Sequence, residues 1–333
     1  MIQAYFADSN DTVIANKNHQ FIDGIRKQAL EHDGFSVATN ASSADIVVID
    51  HEYQYRTRHY AETLDACDFL KSHTCKIHVI NHDTYARVFF PGLYTSLEKS
   101  KTPLFPARSI PYKWNLWKFP VSPDGGWSPE YLSGFRGADT THPLRVKIIS
   151  KLASHEEFNV KILRKTLHEH SEQDQQDFID HLLSLKFSLC PRGLSPSSYR
   201  VYESMELGRC PVIISDAWVP PDDIDWASCS VRIAESELHR IPEILKEKAN
   251  QAKELGQNAH EIWKEKLDFP ARYQYFLNQL YLLVMDTNSD FQMSYSDFQN
   301  KWSGKEMYKL YDWTFLGRIK SRIQKYRQTF YYR

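Results

Sequence analysis

The sequence predicts an α/β fold in two parallel-sheet domains, because short apolar runs alternate with helical patterns in the first third and again in the second half. Length agrees: 333 residues exceed the usual ~100–200 of one domain. The expected division is 1–128 and 129–285, each a Rossmann-like domain, followed by a helical C-terminal region over 286–333. Hydrophobic residues at 42% and charged residues at 25% exclude a disordered or fibrous chain.

In the first domain the expected order is a strand Ile2–Phe6, a helix from about His19 to His32, strands Phe35–Ala38 and Asp45–Ile49, a helix near Ala61–Ser72 and a strand Ile77–Ile80. From Phe90 to Trp127 prolines, aromatics and basic residues interrupt every period, so irregular structure leading to the domain boundary is expected. The second domain should open a helix at Thr141 as N-cap with Pro143 in its first turn, and another over Gln173–Leu185. A strand Phe187–Cys190, a helix Ser197–Leu207 stopped by Gly208 and a strand Val212–Ser215 complete a second βαβ unit. Beyond Glu235 the chain reads as helical, interrupted at Pro242 and Pro270.

A formal net charge of −1 provides no global field for nucleic acid, so no nucleic-acid partner is expected. The five cysteines show neither CxxC nor Cys/His metal spacing, which suits reduced thiols. The opening MIQAYFADSND lacks a basic and apolar leader, and no run of about 18 apolar residues occurs. A cytoplasmic location, peripheral to the inner membrane face at most, is the expectation from these features. Aromatics at 14% suit sugar stacking and core packing alike.

The chemistry concentrates in KFSLCPRGLSPSSYRVYESMELGRCPVIISDAW. This stretch reads strand, tight loop, helix, strand, and its loop falls at the C-terminal end of a parallel strand, where open α/β sheets bind ligands. At Ser195-Pro196-Ser197-Ser198 free backbone N–H groups and hydroxyls converge on the positive end of a helix, an arrangement suited to phosphate. Arg192 and Arg200 could add bidentate contacts, and Glu203 could accept ribose hydroxyls. The same residues also read as an N-cap with its first turn, a loop charge and an i,i+3 ion pair.

The segment resembles the sugar-nucleotide-binding region of the exostosin family of glycosyltransferases. The matching motifs are CPRG, SPSSYRVYES, GRCPVIISDAW and IDWASCSVRI, with YLSGFRGADTTHPLRVKII resembling the family's Phe-Arg-Gly element and the helix that follows. The resemblance covers about residues 131–245. It implies two Rossmann domains facing a cleft, the GT-B architecture, and an inverting transferase that takes a nucleotide-diphospho-sugar, UDP-linked by preference. It also implies no cofactor and no essential metal.

By the same resemblance, Arg136 and Arg192 face the diphosphate, Ser195, Ser197 and Ser198 supply the helix-terminus contacts, and Glu203 meets the ribose. Asp216 and Trp218 could meet base or sugar, a buried core Trp being the alternative. Asp223-Ile224-Asp225 has the form of a DxD metal motif, but its register matches the family's Ile-Asp-Trp, so a cap or turn is expected there.

Inversion needs a general base, expected from the first domain across the cleft. Asp8, Asp50 with His51, and His82 with Asp83 all stand at strand ends; VINHDTY favours His82 and Asp83. The expected partners are the donor and an oligosaccharide or lipid-linked glycan acceptor in surface polysaccharide synthesis. In the tail, Leu316, Ile319, Ile323, Tyr326 and Phe330 form one helical stripe beside Arg318, Lys320, Arg322, Lys325 and Arg327. Residues 313–333 therefore suit either packing on the first domain or contact with an anionic membrane. Two other readings stand beside this one. One is a fucosyltransferase-like enzyme using a GDP-sugar; the other is a catalytically inactive sugar-nucleotide-binding subunit.

Overall fold

The computed structural model describes residues 1–12, 14–51, 66–83, 88, 90–100, 105–113, 127–163, 171–287 and 296–297. The stripe over 316–330 and most of the 286–333 region lie outside the described residues. Two parallel sheets are present, each with helices packed on it.

The first sheet contains β1 (Ile2–Ala7), β2 (Phe35–Val37), β3 (Ile46–Asp50), β4 (Ile77–Asn81), β5 (Gly92–Tyr94) and β6 (Ala107–Ser109), in the order β2-β1-β3-β4-β5-β6. Every residue of β3 and β4 is buried, as a parallel sheet covered on both faces requires. Helix α1 (Gln20–Ala29) turns Phe21, Ile22, Ile25 and Ala29 inward, and α2 (Asp68–His73) precedes β4. Strands β5 and β6 fall inside the stretch expected to be irregular. Each is three residues long, too short to show a period of two, and prolines flank them.

The second sheet contains β7 (Tyr131–Gly137), β8 (Phe158–Ile162), β9 (Leu185–Pro191), β10 (Cys210–Ile214) and β11 (Val231–Arg232), in the order β11-β10-β9-β7-β8. Its helices are α3 (Pro143–Leu152), α4 (Glu172–Leu183), α5 (Tyr199–Glu206) and α6 (Trp226–Cys229). The cap of α3 is His142 rather than Thr141: the imidazole Nδ1 accepts from the Leu144 amide at 3.3 Å, and Pro143 opens the first turn. Ser171 and Asp174 close a capping box on α4. Helix α5 starts at Tyr199, later than expected, because Ser195 to Ser198 stay in the loop. It ends at Gly208, whose φ of 62° only glycine adopts without strain.

Helices α7 (Ile241–Glu247), α8 (Ala252–Lys266) and α9 (Ala271–Asp286) follow. Pro242 and Pro270 begin helices instead of interrupting them: at a first turn the missing N–H has no partner to lose. Helix α9 crosses back. Its Phe276, Leu280 and Leu283 share a core with Phe21 and Ile25 of α1 and with Cys190, Val201 and Trp218 of the second sheet's layer. One apolar cluster thus spans both sheets and fixes the strand ends that carry the site.

Candidate functional site

Arg192 and Gly193 follow directly from β9, so the loop leaves the sheet at its C-terminal edge. The Arg192 amide donates to the Ile214 carbonyl of β10 at 3.1 Å, holding the loop start to the neighbouring strand. Below it lies Arg145 in the first turn of α3. Its guanidinium donates to the carbonyls of Arg192 (3.1 Å), Pro191 (3.2 Å) and Ala138 (3.0 Å), joining the loops after β7 and β9. Burial, with Arg200 adding repulsion, pulls Arg145 down to about 10, still well above neutral pH, so the group stays charged. A Cβ at position 193 would stand 3.0 Å from Arg145 Nη2 and 3.2 Å from Thr141 Oγ1, which explains the glycine.

The predicted donor residues divide into two groups. Arg136, at the end of β7, is 6% exposed; it pairs with Asp177 at 3.1 Å, and its Nε has no hydrogen-bond partner among the described residues. Arg192 is half-buried with its own Nε likewise unpartnered among those residues. Ser198 caps the backbone of α5, but its side chain makes no cap bond.

Arg200 and Glu203 instead turn beneath the sheet edge. Arg200 Nη2 donates to the Arg136 carbonyl at 2.5 Å, its guanidinium lies 4.6 Å over the Phe178 ring, and its Nε stands 3.5 Å from Glu203. The i,i+3 pair is therefore present, and it is buried. Glu203 is 2% exposed; desolvation pushes its carboxyl up to about 7 against the pull of Arg200, and Oε1 has no partner among the described residues.

Ser195 and Ser197 are buried, and their hydroxyls point at the first domain. Ser195 Oγ lies 2.6 Å from Ser96 Oγ, and Ser197 Oγ lies 2.7 Å from the Tyr112 hydroxyl. Trp218 is 1% exposed and packs against Trp226 at 5.3 Å, the core alternative. Asp216 exchanges hydrogen bonds with Glu235 across the β10 and β11 ends. Asp225 caps α6 through the Ala227 amide at 3.2 Å, as expected, whereas Asp223 makes tertiary contacts instead, accepting from the Tyr275 hydroxyl at 2.8 Å and pairing with Lys266 at 3.4 Å.

On the first sheet His82 and Asp83 diverge. His82 sits edge-on to Phe21 (5.5 Å) and against Phe276 (5.7 Å); burial, then Lys113 and Arg272, drives its pKa well below the ordinary value, and neither ring nitrogen has a partner among the described residues. Asp83 is buried, and its amide donates to Asn81 Oδ1 at 2.9 Å. Asp50 is held by Lys113 at 2.9 Å, and His51 Nδ1 lies 3.2 Å from Asn81 Nδ2, with burial lowering the imidazole to about 4. Asp8 accepts from the Asn10 amide at 2.7 Å, a turn role.

Three contributors escape sequence reasoning. Arg145 is visible as the Arg of the helix after the Phe-Arg-Gly element, but nothing in the sequence assigns it a role; a cation in a helix's first turn, where the dipole disfavours it, is its only physical trace. Ser96 and Tyr112 leave none, since they meet Ser195 and Ser197 across 99 and 85 residues of chain.

Residues 128–248 match the exostosin GT47 domain. An exostosin-1 homolog of Caenorhabditis elegans is 34% identical over 98 residues, which are 28% of this chain and 26% of that protein. Exostosin-1 of Drosophila melanogaster is 32% identical over 96 residues, 28% of this chain and 13% of the relative. A probable glucuronosyltransferase of Oryza sativa is 44% identical over 61 residues, 18% of this chain and 14% of its own length. The matched stretch thus spans about a quarter or less of each relative. The exostosin resemblance read from CPRG, SPSSYRVYES and GRCPVIISDAW holds over the segment that carries those motifs, and the relatives support a glycosyltransferase.

The expected cytoplasmic location is corrected by these relatives, since exostosin and glucuronosyltransferase homologues are typically Golgi membrane enzymes. Among the described residues no helix is long and apolar enough to cross a membrane, but that absence does not assign a compartment. The expectation relied on missing leader and anchor signals, which carry no such weight in a chain matching only part of its relatives.

Proposed function

We propose that this chain is an inverting glycosyltransferase of GT-B architecture that transfers a sugar from a nucleotide-diphospho-sugar, UDP-linked by preference, to a glycan acceptor. The observation that carries the reading is the convergence of Arg145, Arg192 and Arg136 on the loops after β7 and β9, inside the segment matching the exostosin domain. Leaving-group departure builds negative charge on the nucleoside diphosphate, and fixed cations with backbone N–H donors in a partly buried site stabilise that charge without reorganising. No metal is required in this scheme. Arg192, Arg136 and Ser198 take the diphosphate, and a ribose hydroxyl satisfies Glu203 Oε1.

Asp83 takes the acceptor proton from the first-domain side of the cleft, because, of the adjacent pair, His82 is packed among Phe21 and Phe276 with its pKa driven down by burial, which leaves the carboxylate as the base. The names of the plant relatives, probable glucuronosyltransferases, favour an acidic hexose as the transferred sugar. The acceptor is an oligosaccharide or a lipid-linked glycan in surface polysaccharide synthesis.

A thermal-shift screen against UDP-, GDP-, CMP- and dTDP-sugars, run with and without EDTA, tests the reading. A UDP-sugar at about a hundred times its Kd should add roughly 2.7 kcal/mol of stability, equally in EDTA. Stabilisation by GDP-sugars alone would support the fucosyltransferase-like alternative. Binding without turnover would support the inactive-subunit reading, and dependence on Mg²⁺ or Mn²⁺ would return Asp223 and Asp225 as metal ligands.

A further inference from the structure

The first domain reaches into the loop that follows β9. After β5 the chain from Thr95 to Lys99 lies along residues 217–219 of the second domain: the Lys99 amide donates to Ala217 O at 2.8 Å and the Val219 amide to Leu97 O at 3.1 Å. Glu98 and Trp218 form an antiparallel bridge between these contacts. This main-chain pairing sets Ser96 directly under the loop. Its hydroxyl lies 2.6 Å from Ser195 Oγ and 3.4 Å from Ser197 Oγ, while Tyr112, following β6, places its hydroxyl 2.7 Å from Ser197 and 3.3 Å from Ser195. The Tyr112 ring stacks on Tyr199, the first residue of α5, with centroids 3.7 Å apart.

All four residues are buried, so their hydroxyls find partners mainly in one another, with the Ser197 amide also donating to Ser195 Oγ at 3.2 Å. The conformation of the Ser-rich loop is therefore set by two side chains of the opposite domain. With the Ser195 and Ser197 oxygens engaged there, and the Arg192 and Ser197 amides bonded to Ile214 O and Ser195 Oγ, the other backbone N–H groups of the loop and Ser198 are the ones to receive an anion, and their direction depends on that engagement.

We infer that Ser96 and Tyr112 are positioning residues for the donor loop, so that the first domain completes the nucleotide-sugar site of the second. This rests on the glycosyltransferase reading above. Neither residue touches the donor. Each holds the loop in the shape that aims its N–H groups at the diphosphate.

The test uses the full chain, Tyr112→Phe and Ser96→Ala, with Ser96→Thr as the conservative partner. Tyr112→Phe removes one oxygen and keeps the stack on Tyr199. UDP titration by calorimetry and steady-state transfer with the UDP-sugar varied are both measured. In Tyr112→Phe and Ser96→Ala the Kd for UDP and the KM for donor should rise together by about tenfold, the effect of a broken buried hydrogen-bond network. kcat should stay within about twofold, acceptor KM should not move, and Ser96→Thr should restore donor affinity. Unchanged Kd and KM in both variants, or a fall in kcat alone, would overturn the inference while leaving the glycosyltransferase reading intact. Failure of the unaltered chain to bind any nucleotide would instead remove that reading, and this inference with it.

Discussion

At the strand ends of the second sheet, Arg145 is buried against three backbone carbonyls while Arg136 is met by Asp177 at 3.1 Å; at those of the first sheet, the buried Lys113 is met by Asp50 at 2.9 Å. A buried lysine–carboxylate pair neutralises itself and leaves little field outside. A guanidinium bonded to carbonyls is solvated but not neutralised, so its charge remains for an anion at the sheet edge. The two domains share a parallel-sheet plan, and Arg145 and Lys113, one from each, differ in how their buried charge is balanced. On the proposed reading, Arg145 serves the side that holds the diphosphate and the first domain supplies the group that removes the acceptor proton.

The largest expected effect comes from the first domain. Asp83→Asn should lower kcat by about 10²–10⁴, the usual worth of a general base, with UDP affinity unchanged. His82→Phe should leave kcat near its original value and act through stability alone, because the imidazole already sits neutral among aromatic rings. The reverse pattern in steady-state kinetics would move the base to His82.

Next, Arg145→Ala should reduce donor-dependent transfer by about a hundredfold, since charged hydrogen bonds are worth about 1.5–3 kcal/mol each and act here as one unit. Arg145→Lys should recover part of the loss, a point charge replacing a fork that spans two loops. Full activity in Arg145→Ala would erase the contrast between the two sheets.

A smaller effect belongs to Glu203. Its pKa is raised in the fold to about 7, so the folded state binds the proton more tightly than the unfolded chain. Its contribution to stability is therefore complete below the ordinary carboxyl range and is lost as pH rises toward 7, with a slope of up to about 1.4 kcal/mol per pH unit. Denaturant midpoints measured across that window should flatten in Glu203→Gln. An unchanged slope would mean that another group carries the dependence.

The same contrast marks what could be read from sequence. In the second domain long strands with alternating helices, the Gly208 stop and the ordered motifs around Arg192 made the βαβ unit and its loop legible, because those signals are local. In the first domain β5 and β6 are too short to carry a period, and the partners of Ser195 and Ser197 lie far away in the chain, so neither was legible. His82 and Asp83 were adjacent letters of equal promise. Only packing, which sets His82 between Phe21 and Phe276, separates them. Arg200 and Glu203 were read both as donor contacts and as an ion pair; the fold shows the pair, buried, with a second carboxyl oxygen left over.

The central claim is that the loop after β9 holds a nucleoside diphosphate through uncompensated arginine charge. Calorimetric titration of UDP into the full chain and into Arg192→Ala tests it most directly. The account predicts a single saturable site in the full chain whose Kd rises about ten- to a hundredfold in the variant, the loss of one charged contact. Equal affinity in both proteins, or no UDP binding by the full chain, would contradict it.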